Sequence, residues 1–167
     1  MDKYDGLNIE IDLMTKKRLI FSSFFILGNR IQTNFDNYLE EITSKQWLIM
    51  IIVSAFPYPP SLTEVAEHAG CSRQNVKKIT VVLEKKGFIE LKQERDSRAV
   101  CIVLTQKFYD FYKPFLEKSI IGIEELFEGM NESQIEELFY SLHKIEENIN
   151  EFEKNVKNKE IARKAMK

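Results

Sequence analysis

The pattern Ala66-x3-Gly70-x5-Val76-x2-Ile79 restricts the fold of this chain more than any other feature of its sequence. Two short helices crossing at a steep angle through a tight turn make specific demands on side chains. The first helix needs a small residue where the second passes over it, and Ala66 is small. The turn needs a residue that tolerates positive φ, and Gly70 does so without a Cβ penalty. The second helix needs apolar residues facing back, and Val76 and Ile79 lie one turn apart on the same side. The flanks agree. Ser61-Leu62-Thr63-Glu64 has capping-box spacing, which predicts a helix opening there and reaching about His68. Ser72 can cap a further helix from Arg73 to about Lys86, which Gly87 stops.

The rest of the chain reads mostly as helix. A first helix is expected from about Ile11 to Tyr38, where Phe21, Phe24, Gly28, Ile31, Phe35 and Tyr38 fall on one stripe. Gly28 costs such a helix about 1 kcal/mol relative to alanine and is a candidate point of close approach by another helix. Thr43 and Gln46 have capping-box spacing and open a helix, Lys45 to Phe56, apolar nearly all round and expected to be buried. The run Phe-Pro-Tyr-Pro-Pro at 56–60 breaks the helical pattern. Residues 88–92 and 99–104 are rich in strand formers and bracket a charged run, predicting a two-stranded ribbon with a charged tip. Thr105 is placed to cap a helix reaching about Phe127, kinked or restarted at Pro114. Ser133 and Glu136 predict the start of the last helix, in which Ile135, Leu138, Leu142, Ile145, Ile149, Phe152 and Val156 repeat as a heptad seam. The expected class is therefore mainly α with a small two-stranded β-wing. The expected division is a long N-terminal helix over 1–42, a helix-turn-helix with its ribbon over 43–104 and long C-terminal helices over 105–167.

Net charge is −2, but it is unevenly spread. Eight bases and four acids between Cys71 and Val100 give +4, whereas eleven glutamates and four lysines between Glu124 and Glu160 give −7. A local basic field, rather than total charge, guides a protein to a polyanion. The outward face of the helix after Gly70 carries Ser72, Arg73, Gln74, Asn75, Lys77 and Lys78. Arginine pairs with guanine, and glutamine or asparagine with adenine, through two hydrogen bonds in the major groove. Ser72 and the N–H groups at the helix start suit a phosphate. Arg95 and Arg98 at the ribbon tip suit a narrow minor groove, where negative potential is concentrated. The plainer alternative is a solvated helix face and a solvated hairpin.

Ser-Arg-Gln-Asn-Val-Lys-Lys-Ile at 72–79, Leu-Glu-Lys-Lys-Gly-Phe-Ile at 83–89, Arg-Asp-Ser-Arg-Ala-Val at 95–100 and Leu104-Thr105 together resemble the multiple-antibiotic-resistance regulator (MarR) family. The resemblance in motif covers about Thr43 to Phe108. It implies a homodimeric transcriptional regulator, acting as a repressor on double-stranded DNA with a pseudo-palindromic operator. It implies that the parts over 1–42 and 105–167 are dimerisation helices and that 43–104 is a winged helix-turn-helix. It implies that Ser72 to Lys78 enter the major groove, that Arg98 reaches the minor groove and that Asp96 braces the wing. The family's usual wing reads Asp-Arg-Arg, and Ser97 stands here in place of the middle arginine. The resemblance also implies a cleft for a small aromatic or amphipathic ligand that releases DNA, for which Phe21, Phe24, Phe25, Trp47 and Phe111 are candidates; plain core is the alternative for such aromatics.

Other chemistries find less support. His68 and Cys71 have metal-ligand spacing, but a structural zinc site takes four ligands and His143 is remote in sequence. Cys71 precedes a helix N-terminus, where a thiolate is favoured, so a redox switch is an alternative to a small buried thiol. There is no Gly-rich phosphate loop, no Gly-x-Ser-x-Gly and no nucleophile–His–acid set, so neither an enzyme nor a cofactor is expected. No apolar run reaches the ~20 residues of a membrane span. The first residues lack the pattern of a secretion signal and two cysteines make no disulfide framework, so the expected location is the cytoplasm. A winged-helix interaction module that does not bind DNA is the alternative reading.

Overall fold

A computed structural model describes residues 12–39, 41–93 and 100–165. Their elements in chain order are α1 (Leu13–Tyr38), α2 (Ser44–Ala55), α3 (Leu62–His68), α4 (Arg73–Lys85), β1 (Ile89–Gln93), β2 (Val100–Leu104), α5 (Gln106–Leu126) and α6 (Glu132–Ala165). The chain divides into two compact units, Met1–Lys113 and Pro114–Lys167. The architecture is mainly helical with a small antiparallel sheet, as the sequence predicts.

The boundaries follow from caps. Asp12 accepts from the Thr15 N–H at 2.6 Å and starts α1. Thr43 with Gln46 and Ser61 with Glu64 form complete capping boxes at α2 and α3. Gly70 and Gly87, with φ of 60° and 77°, make the turns that end α3 and α4. At those angles a Cβ would be strained, and glycine has none.

In the first unit, α2, α3, α4 and the sheet close around a core that includes Met50, Val65, Val76, Leu83, Phe88 and Ile102. β1 pairs antiparallel with β2 in the register Ile89↔Leu104, Leu91↔Ile102 and Gln93↔Val100. The buried Pro60 adds a third contact: its carbonyl accepts from the Ile102 N–H at 2.9 Å, and Ser61 bridges to Cys101. The proline-rich break is thus fastened along the outer side of β2.

Several expectations need correction or narrowing. α2 is not buried all round: Ile49, Met50 and Val53 are inside, but Leu48 is 43% exposed, because the core lies on one side of this helix. Thr105 directs its hydroxyl backwards, donating to the carbonyls of Gly87 at 2.7 Å and Phe88 at 3.0 Å. Of the two alternatives at Pro114, a kink or a restart, the restart falls away, because α5 runs through Pro114 as one element. The final helix opens at Asn131, not Ser133: the Asn131 side chain accepts from the Gln134 N–H at 3.0 Å, and the Gln134 side chain accepts from the Asn131 N–H at 2.9 Å. Gly28 is not a point of close approach among the described residues: nothing lies within 4 Å of a Cβ placed on it.

In the second unit, α6 carries its heptad residues in the open. Ile135, Leu138, Leu142, Ile149, Phe152 and Val156 are exposed, and Ile145 is half-buried. α1, in the first unit, has no buried residue. No helix among the described residues is long and apolar enough to cross a membrane.

Candidate nucleic-acid interface

The turn between α3 and α4 is built by short-range hydrogen bonds. The Cys71 N–H donates to Ala66 O at 3.0 Å, folding the chain back over α3 where Ala66 leaves room. Ser72 is the N-cap of α4: its hydroxyl oxygen accepts from the Asn75 N–H at 3.2 Å. The hydrogen of that hydroxyl remains available to donate outward.

α4 is held from behind by Val76, Thr80 and Leu83, all fully buried. Ile79, expected to face back beside Val76, is half-buried. Thr80 takes the more interior place, which the sequence reading missed. Its spacing of four from Val76 and three from Leu83 was the available signal. Its hydroxyl donates to Lys77 O at 3.1 Å, so its burial leaves no donor unsatisfied.

Because the inner face is fixed, the outer face is fixed too. Ser72, Arg73, Gln74, Asn75, Lys77 and Lys78 are all exposed, as expected for a reading surface. Gln74, Lys77, Lys78 and Val81 line an open depression of about 510 Å³ along it. No acid lies in the first turn of α4 to oppose an anion at its N-terminus. Val81 and Val82 extend the exposed face with apolar surface. Arg95, Asp96 and Arg98 lie outside the described residues.

α3 is braced against the proline-rich loop by Glu64. This carboxylate accepts from the Ser61 N–H at 2.8 Å and from the Tyr58 hydroxyl at 2.9 Å. The Ser61 contacts, chiefly its N–H, and then Tyr58 hold the Glu64 carboxyl below its usual range, and the same bond pushes Tyr58 up. Phe56 lies edge-on to both Tyr58 and His68. The His68 ring shares Nδ1 with Glu64 O at 2.9 Å, so this imidazole is part of the brace. Cys71 and Cys101 are half-buried. Among the described residues no three metal-ligating side chains stand together.

The aromatic candidates for a ligand cleft fall at different places. Phe21 and Phe25 pair with each other on α1 at 5.2 Å, and Phe24 is exposed beside them. Trp47 on α2 packs edge-on to Phe35 of α1 at 5.0 Å. Phe111 on α5 packs edge-on to Phe88 at 5.4 Å. The last two join elements of the first unit, whereas the α1 group stands in solvent.

No protein-family model matches the sequence, and no curated protein sequence matches it. The fold does match solved structures. A MarR/EmrR family transcriptional regulator from Acinetobacter sp. ADP1 superposes with a TM-score of 0.73 at 21% identity, over 81% of this chain and 97% of that one. The transcriptional regulator BldR from Sulfolobus solfataricus gives 0.70 at 17% identity, over 83% and 99%. MarR of Staphylococcus aureus, in complex with salicylate and kanamycin, gives 0.67 at 17% identity, over 82% and 94%. The chain thus has the winged-helix fold of MarR-family regulators.

Proposed function

We propose that this chain is a MarR-type transcriptional regulator: a homodimer that binds a pseudo-palindromic operator and represses transcription from it. The observation that carries the reading is the outer face of α4. Six polar or basic residues stand exposed together there, at the second helix of a helix-turn-helix, while Val76, Thr80 and Leu83 anchor the opposite side. Arg73, Gln74 and Asn75 read base edges in the major groove; Ser72, Lys77 and Lys78 contact phosphates. The wing reaches the minor groove through Arg98, aided by Arg95 and braced by Asp96. The division of labour is an N-terminal dimerisation helix over 1–42, a DNA-binding domain over 43–104 and C-terminal dimerisation helices over 105–167. A small aromatic ligand, bound among Phe21, Phe24, Phe25, Trp47 and Phe111, releases DNA. The salicylate complex of the Staphylococcus aureus protein supports that ligand class.

The test is a mobility-shift series with fragments from upstream of the protein's own gene, repeated from 50 to 200 mM salt. A dimer making six to ten phosphate contacts should lose about 10³–10⁵ in affinity across that range. Absence of binding to any fragment at low salt would leave the interaction-module reading.

A further inference from the structure

The turn joining α4 to β1 is gripped from three directions. Three consecutive carbonyl oxygens, those of Lys86, Gly87 and Phe88, accept from just two side chains at the start of α5. Lys107 Nζ donates to Lys86 O at 3.2 Å, and the Thr105 hydroxyl donates to Gly87 O and Phe88 O. The Lys107 stem runs beside Gly87, where a Cβ would lie 3.9 Å from its Cδ, and its ammonium sits 4.4 Å from the centre of the Phe88 ring. The same ammonium forms an ion pair with the Glu41 carboxylate at 3.2 Å, in the α1–α2 loop. From the turn itself, Lys86 Nζ reaches back to Glu41 O at 2.6 Å and to Gln46 Oε1 at 3.2 Å. On the strand side, Glu84 Oε1 accepts from the Leu91 N–H at 2.9 Å and ties α4 to β1.

We infer that Glu41, Lys86 and Lys107 form a clamp that sets the pose of α4 and the wing, making them positioning residues for operator recognition. The inference rests on the DNA-binding reading above. The clamp joins three elements, α1–α2, α4–β1 and α5, through side chains that the base-reading face does not use. The Lys107–Glu41 pair is about half exposed at both ends, 47% and 56%, so solvent screens it and it adds little to global stability. Its effect falls on geometry. A base-reading helix must sit correctly in two half-sites at once, whereas phosphate contacts to random DNA tolerate a shifted pose. Releasing the clamp therefore reduces discrimination and leaves non-specific affinity in place.

The experiment compares the full chain with Lys107→Met, Glu41→Gln, the double variant and Lys107→Arg. The probes are the duplex that the wild-type protein enriches from a randomised pool and a scrambled duplex, each over a salt series. Amide exchange of Phe88 to Leu91 is followed in the free protein. The expected result is a three- to tenfold loss on the enriched duplex for each single variant, little change on the scrambled one, and an unchanged melting temperature. The double variant should be no worse than the singles, Lys107→Arg should restore discrimination, and exchange should quicken in both single variants. Equal losses on both duplexes with a shallower salt slope for Lys107→Met would overturn the inference by making Lys107 a phosphate contact. Variants that discriminate as well as wild type would overturn it too. Failure of the wild-type protein to enrich any duplex would sink the DNA-binding reading together with the clamp, and that result is distinct from wild-type binding that ignores the substitutions.

Discussion

Arg73, Gln74 and Asn75 occupy the first turn of α4 and project from it into solvent, so their roles separate from those of Lys77 and Lys78 in the next turn. Arg73→Ala should cost about 1–3 kcal/mol on the operator and little on random DNA. Lys77→Ala and Lys78→Ala should weaken both and flatten the salt dependence; paired titrations on the two duplexes measure the split, and equal loss for Arg73→Ala would reassign it to the backbone. Glu64 gives a prediction in pH. Its folded carboxyl titrates below the ordinary value of 4.5, so its contribution to stability is present above that value and is lost as pH falls through the folded pKa. Thermal melts between pH 3 and 6 should show a shallower acid decline for Glu64→Gln than for wild type; parallel declines would contradict this. Thr80 illustrates what sequence polarity hides. A threonine among charged neighbours reads as surface, yet a hydroxyl that can donate to Lys77 O, one turn back, is as easily buried as a valine.

The caps of α2, α3 and α4 were legible in the sequence because they are local: one side chain and one N–H three residues on settle each of them. The start of α6 was misread for an equally local reason. Asn131/Gln134 and Ser133/Glu136 overlap by two residues, and both fit the pattern. The earlier pair is used, since Gly129 at φ 83° already turns the chain and an earlier start adds helical hydrogen bonds. Asn131→Ala should then destabilise the first turn of α6 by about 1 kcal/mol, and Ser133→Ala by much less. Amide exchange at Gln134 and Ile135 distinguishes the two. The long-range grip on the α4–β1 turn was not legible at all, because Glu41 and Lys107 are far apart in sequence and nothing local pairs them. For the wing, Arg98→Ala should weaken DNA binding without moving the melting temperature. Asp96→Ala should weaken it as well, although charge counting gives the opposite sign; tighter binding by Asp96→Ala in a mobility shift would end the bracing idea.

At the scale of the whole molecule, apolar surface decides. α1 exposes Phe21, Phe25, Leu27 and Ile31, and α6 exposes a seam in which Phe152 is 69% accessible. In the proposed dimer, these exposed apolar residues are the contact surface of each helix. In the proposed dimer the two α4 helices lie about 34 Å apart, one turn of DNA. Ile145→Lys places a charge in the middle of the seam and should give a monomer by light scattering at micromolar concentration. Its operator affinity should fall with it. An intact Ile145→Lys dimer would move the interface elsewhere. The heptad repeat made this surface visible from sequence, since a strict three-four spacing survives whatever the helix packs against.

The fastening of Pro60 to Ile102 bears on how the protein behaves in a crowded cell. A two-stranded ribbon has two outer edges, and an open edge can recruit a strand from another molecule and seed aggregates. Here the N–H of Ile102 is taken by Pro60 O and that of Leu91 by Glu84 Oε1. Both edges are closed at the middle of the ladder, one by a proline-rich segment and the other by a carboxylate. A chain with so much apolar surface on its long helices can therefore be sticky in its helices without being sticky in its sheet. In the proposed dimer, association then runs through helix pairing, which closes on itself, and not through strand addition, which has no natural end.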